Sequence, residues 1–158
     1  MTEQEFVAIV REHQERLYIH IRGMVGRHED ADDVLQNTFL KAWQARDSFR
    51  GDAKIGSWLF RIATNEALNF IEKNKITSDG EMPDVASDPY FDGDETERQL
   101  QRAVTALPPK QKQVFLMKYF QDMKYEEMSE ILGTSVGSLK ASYHMAVEKI
   151  QNFFYHEE

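Results

Sequence analysis

The residues best equipped for chemistry in this 158-residue chain stand in one loop, Asp47-Ser48-Phe49-Arg50-Gly51-Asp52-Ala53-Lys54-Ile55-Gly56. Two glycines permit tight backbone turns, and an aromatic ring sits beside a guanidinium. That set can stack an unpaired base on Phe49 and neutralise a phosphate with Arg50 or Lys54. A second reading of the same residues makes Phe49 an apolar staple under a helix entry and leaves Arg50 solvated. Covalent chemistry finds less support. Asp30, Asp32 and Asp33 are acids at a helix start with no facing histidine or nucleophile, so no catalytic residue and no metal site is assigned. His13 and His20 lie seven apart on roughly one face without a third ligand, and packing is their expected role. The chain has no cysteine, which removes disulfides, thiolate metal sites and a cysteine nucleophile.

Two amphipathic helices must hold that loop. The first is expected to start at Asp30, whose carboxylate can cap a free backbone N–H, with Asp32 and Asp33 at the positive end of the helix dipole. Ala31, Val34, Leu35, Thr38, Phe39, Ala42 and Trp43 recur at three and four and form one buried stripe. Asp32, Asp33, Gln36 and Asn37 are left on or near the other side. The second helix, from about Ser57, packs Trp58, Leu59, Ile62, Ala63, Phe70 and Ile71. Ahead of both, residues 3 to 25 place Phe6, Ile9, Val10, His13, Leu17, Ile21 and Met24 on a stripe, and Gly23 and Gly26 weaken the end of that helix. Arg27-His28-Glu29 read as the turn that follows.

The strings DADDVLQNTFLKAW, DSFRGD and SWLFRIATN, in this order and spacing, closely resemble region 2 of the extracytoplasmic-function sigma factors, the small specificity subunits of bacterial RNA polymerase. The resemblance implies core polymerase binding by Asp32, Asp33, Gln36 and Phe39. It implies capture of a minus-10 base around Ser48, Phe49 and Asn65, with Arg50, Trp58 and Arg61 completing the site. After Asn65, only Lys73 and Lys75 stand where the family carries an arginine-rich helix end, which implies weaker upstream duplex contacts.

The formal net charge of −8 argues against tight autonomous binding to nucleic acid, because such binding is driven by Lys and Arg. The excess is local. Residues 1–75 hold 11 basic and 12 acidic side chains, residues 76–98 hold 1 and 8, and residues 99–158 hold 7 and 7. The acidic middle, TSDGEMPDVASDPYFDGDET, has prolines, glycines and no period, and reads as a flexible linker over 76–96. It is either a solvated spacer or, by the family resemblance, an acidic tether that mimics nucleic acid along the polymerase exit path.

Beyond the linker, Leu100, Val104 and Leu107 mark a short helix stopped by Pro108-Pro109, and Val114 to Phe120 mark another. The segment from Tyr125 to Lys140 has the grammar of a helix-turn-helix: a short helix, Gly133 at a left-handed cap, and Thr134-Ser135 for N-capping. Ser129, Ile131, Val136 and Leu139 fit its inner contacts. On pattern alone a DNA-binding module and a plain packing motif stand level. The stretch from Leu107 to Ile150 resembles sigma region 4, which implies minus-35 contacts by Ser138, Lys140, Ser142, Tyr143 and His144. Ala141, Ser142, Met145 and Val147 occupy places where the family often has arginine or serine, and methionine cannot read guanine as arginine does. Phe153, Phe154 and Tyr155 either finish the last helix or bind a regulator.

The fold class is therefore all-α, with two small helical domains: a region 2 bundle over 1–75 and a region 4 helix-turn-helix over 97–158, joined by the acidic linker. The expected function is promoter-directed transcription initiation without covalent chemistry or cofactor. The expected partners are core RNA polymerase, promoter DNA and an anti-sigma factor, with no small-molecule substrate. No apolar run reaches membrane-spanning length and the start MTEQEF is unlike a signal peptide, so a cytoplasmic location is expected, with an anti-sigma factor as the means of tethering to a membrane. Two alternatives remain open. One is a sigma-like chain that occupies polymerase or an inhibitor without choosing promoters, and the other a dimeric helix-turn-helix repressor.

Overall fold

The computed structural model describes residues 1–51, 54–74 and 93–156, and every regular element among them is helical. Helix α1 (Glu3–Val25) opens on a capping box, in which the Thr2 hydroxyl accepts from the Glu5 N–H while the Glu5 carboxylate accepts from that of Thr2. It ends at Gly26. Helix α2 (His28–Gln44) starts two residues earlier than the acids suggest, with Arg27 at the cap position and no side chain capping it. Asp30 is thus a first-turn acid rather than the cap, and its favourable interaction is with the helix dipole. His28 and Glu29 belong to α2, so the turn between α1 and α2 is only Gly26-Arg27.

A short 3-10 turn (Arg46–Ser48) leads to the loop, and α3 (Ile55–Lys73) begins two residues before the expected Ser57. Helices α1, α2 and α3 pack on one another around Leu17, Ile21, Met24, Ala31, Val34, Ala42, Leu59, Phe60, Ala63 and Ala67, all buried. The rings of Phe6 and Trp43 meet at 5.1 Å, and those of His20 and Phe60 at 5.3 Å. Small residues on α2 and α3 let the backbones approach, and the Thr38 hydroxyl is satisfied by donating to the Val34 carbonyl at 2.8 Å.

Residues 75–92, which include Lys75 and most of the acidic stretch, lie outside the described residues. The end of that stretch enters a helix. Asp94 caps α4 (Glu95–Thr105) by accepting from the Glu97 N–H at 2.8 Å. Helix α5 (Pro109–Phe115) uses Pro109 in its first turn, where a missing N–H is harmless, and continues as a π-helical turn (Leu116–Phe120). Helices α6 (Tyr125–Leu132) and α7 (Val136–His156) complete a second bundle, with Val104, Val114, Met117, Met128, Ile131, Leu139, Ala146 and Ile150 inside.

The two bundles are packed together. Helix α1 meets α4 and α5, and α3 meets α5 and α6. A Cβ added at Gly23 of α1 would lie 2.8 Å from both methyl carbons of Leu116, so the glycine leaves room for that side chain where the bundles meet. Nearby, the buried Lys112 amine donates to the Met24 carbonyl at 3.4 Å, a cation in the last turn of α1. Arg16 and Gln121 exchange two bonds: Nε of Arg16 to the Gln121 amide oxygen at 2.9 Å, and the Gln121 amide nitrogen to the Arg16 carbonyl at 3.2 Å.

Candidate nucleic-acid interface

Three surfaces carry the residues singled out from the sequence. On α2, Asp33 and Gln36 are exposed and Asp32 half-buried, and Gln36 donates to the Asp32 carboxylate one turn back at 3.1 Å. Burial raises the Asp30 carboxyl pKa, and the Arg27 charge opposes that shift. Gln36 and Phe39 also line an open groove of about 640 Å³ between α1 and α2, with Glu3, Phe6, Val7, Leu40 and Trp43. Leu40 is 59% exposed and Val7 41%. Neither was singled out, although Leu40 was detectable as an apolar residue off the buried stripe.

The second surface is built on α3 and the loop before it. Phe49 is half-buried, its ring 5.3 Å from that of Trp58 at an interplanar angle of 50°, so the loop is stapled to α3 by an aromatic pair. Ser48 folds back to donate to the Ala45 carbonyl at 2.6 Å, while Arg50 is exposed. Asn65 lies two turns beyond Trp58 on the same side of the helix. There it opens, exposed, onto a cleft of about 520 Å³ lined by Lys41, Ala45, Ile62, Glu66, Leu68 and Asn69, with Lys41 and Glu66 ion-paired. Arg46 was missed by the sequence reading. Its guanidinium lies 3.9 Å above the Trp43 ring and donates to the Trp43 carbonyl, which fixes the exit of α2.

Arg61 is exposed on α3, one turn after Ser57 and one turn before Asn65. Its guanidinium donates to the Glu130 carbonyl of α6, and the Ser57 hydroxyl donates to the Glu127 carboxylate at 3.3 Å. The packing of the two bundles thus turns the Arg61 guanidinium towards α6.

The third surface is the helix-turn-helix. Gly133 has φ +67, the left-handed cap its position demands. Ser129 donates to the Thr134 carbonyl at 2.6 Å, and the Ser135 hydroxyl accepts from the Ser138 N–H at 3.2 Å. These bonds close the turn after α6 and cap the start of α7. Ser138, Lys140 and His144 are exposed, and Ser142 is half-buried. Tyr143 is half-buried: its ring stacks on that of Phe115 at 5.8 Å, and burial raises its hydroxyl pKa. His144 pairs with Glu148 one turn on, at 3.4 Å. Phe153 and Phe154 pack against the core, whereas Tyr155 is 77% exposed.

Comparison with known proteins accounts for this arrangement. Residues 9–76 match the model of sigma-70 region 2, and residues 97–150 that of sigma-70 region 4. The Escherichia coli (strain K12) ECF RNA polymerase sigma-E factor is 30% identical over 139 residues, which cover 78% of this chain and 73% of that protein. The chain belongs to the extracytoplasmic-function sigma factors. The Bacillus subtilis ECF RNA polymerase sigma factor SigW is 28% identical over 94% of this chain and 88% of its own length. Among solved structures, the sigma factor RpoE bound to the anti-sigma factor NepR from Bartonella quintana superposes with a TM-score of 0.81 at 23% identity, covering 98% of this chain and 99% of that one. CnrH bound to the cytosolic domain of CnrY gives 0.77 at 22% identity, over 99% and 92%. The fold is therefore that of a two-domain ECF sigma factor. Its function is that of a transcription initiation factor, not an enzyme. No described helix is long and apolar enough to cross a membrane.

Proposed function

We propose that this sigma factor docks on core RNA polymerase through Asp32, Asp33, Gln36 and Phe39, captures minus-10 bases at the α3 surface, and presents α7 to the minus-35 element. The observation that carries this reading is the Phe49–Trp58 ring pair, set on the same side of α3 as the exposed Asn65 and its cleft. A stacking platform next to an amide that can both donate and accept is what an unstacked base requires. The α1–α2 groove beside the acids supplies apolar area for docking, which the acids alone lack. In transcription assays with purified core polymerase, promoter-dependent transcripts are expected from the native chain. Their loss is expected with Phe49→Ala or Asn65→Ala at unchanged polymerase binding. Equal transcription by both variants counts against the assignment.

The names of the structural relatives add an anti-sigma factor as the third partner, and co-purification from native extract at mild salt tests it. A second reading keeps polymerase binding but removes promoter choice. It is favoured by the engagement of Arg61 and Ser57 with α6, and it predicts a stable complex with core polymerase that yields no promoter-dependent transcript.

A further inference from the structure

The outward face of α7 is composed differently from a guanine-reading helix. Gly137, Ser138, Ala141, His144, Met145 and Glu148 are exposed, whereas Leu139, Ala146 and Ile150 hold the helix to the core. The chain contains no arginine after Arg102, so no guanidinium reaches guanine O6 and N7 from this helix, and Lys140, the cation of its first turns, lies over the Tyr125 ring at the edge of the face. At the centre of the face stand Ala141 and Met145, one turn apart, and Met145 is 43% exposed. His144 and Glu148 are paired with each other at its flank.

Positive charge gathers at the edge of this face. Lys118 and Lys140 both lie over the Tyr125 ring, at 4.7 and 5.7 Å, and Lys124 is exposed at the start of α6. Cations around the start of both helices, with an uncharged stripe between turns of α7, suit a duplex whose phosphates are held at the rim and whose bases are touched by apolar atoms.

We propose that Ala141 and Met145 are specificity-determining residues that read thymine C5-methyl groups, so that this sigma factor selects T·A pairs at the centre of its minus-35 element. Thymine is the base that offers a methyl in the major groove. Side chains at i and i+4 are roughly 5–6 Å apart, which spans one to two base steps of about 3.4 Å. Two thymines at that separation would therefore be covered together. The inference rests on the promoter-directed reading above.

Its test uses the full chain with core polymerase on templates randomised across the minus-35 region. Thymine is expected to be selected at one or two adjacent central positions. Replacing each selected thymine by deoxyuridine, which removes only the methyl, is expected to lower transcription about four-fold, the effect of burying one such carbon. The Met145→Ala variant should lose that sensitivity at one position, and Met145→Arg should shift selection there towards guanine. Selection of guanine by the native chain, indifference to deoxyuridine, or unchanged sensitivity in Met145→Ala would each overturn the inference while leaving promoter-directed initiation intact. Absence of any promoter-dependent transcript overturns both.

Discussion

His20 makes the stability of this protein depend on pH in a way that can be worked out from the structure. Its imidazole is fully buried against Phe60, both ring nitrogens lack a hydrogen-bond partner, and burial pushes its pKa from 6.5 down to about 4. Above pH 7 the ring is neutral in both the folded and the unfolded chain, and it contributes no pH dependence. As pH falls below 6.5 the unfolded chain binds a proton that the folded chain refuses, so stability falls with pH. The slope is about 1.4 kcal/mol per pH unit, which amounts to about 2 kcal/mol by pH 5. Two other shifted groups do not mimic this effect. Lys112 is protonated in both states below pH 7 and its small contribution at pH 7.5 is common to both proteins, and the raised Asp30 acts in the opposite direction. Urea unfolding of the native chain and of His20→Leu at pH 7.5 and 5.0, at constant ionic strength, isolates the histidine as the difference between the two. The variant should also be more stable at pH 7.5, by about 1 kcal/mol or more, because it removes two buried polar atoms without partners. Parallel loss of stability in both proteins, or an imidazole NMR titration centred near pH 6.5, would refute the reasoning.

Three further outcomes are expected. Gly23→Ala puts a methyl group against Leu116, which is itself buried. Overpacking of about 1–3 kcal/mol should weaken the contact between the bundles, while the alanine gains up to about 1 kcal/mol of helix propensity in α1. Small-angle scattering should report a larger radius of gyration, and an unchanged curve would contradict the role given to Gly23. At Gly133 nothing lies within 4 Å of an added Cβ, so Gly133→Ala tests the backbone alone. A loss of about 1–2 kcal/mol is expected from the left-handed conformation, read as a lowered Tm. Lys112, its pKa lowered to about 8 by burial, sheds its proton in the folded chain before the unfolded one does. Stability should therefore rise between pH 8 and 9.5 by about 1–2 kcal/mol, and Lys112→Met should flatten that rise in urea titrations.

Much of the molecule was legible because its determinants are local. The period of Ala31, Val34, Thr38 and Ala42 marks α2, and Gly133 followed by Thr134-Ser135 marks the turn between two helices. Helix starts were less legible. Asp30 looks like a cap, yet α2 begins before it without any side-chain cap, because tertiary packing rather than capping sustains the helix.

The one-dimensional record also determined which polar side chains stand on outer helix faces, since that depends on residue type and on position along a helix. Asp33, Asn65 and Ser138 are exposed on regular helices, as their spacing requires, whereas Phe49 is half-buried in the loop. Only the packed chain decided which of them share a surface. The rings of Trp58 and Phe49 were brought into contact through a loop whose path no periodicity encodes. Arg61 was drawn to Glu130, 69 residues away, and Tyr143 turned onto Phe115, because contacts between bundles and within a core join residues that have no fixed separation along the chain. Burial made the same distinction for charge. The sequence lists His20 and Lys112 among ordinary titratable residues, and only the removal of water from around them, by helices folded from distant segments, changed what protons they hold.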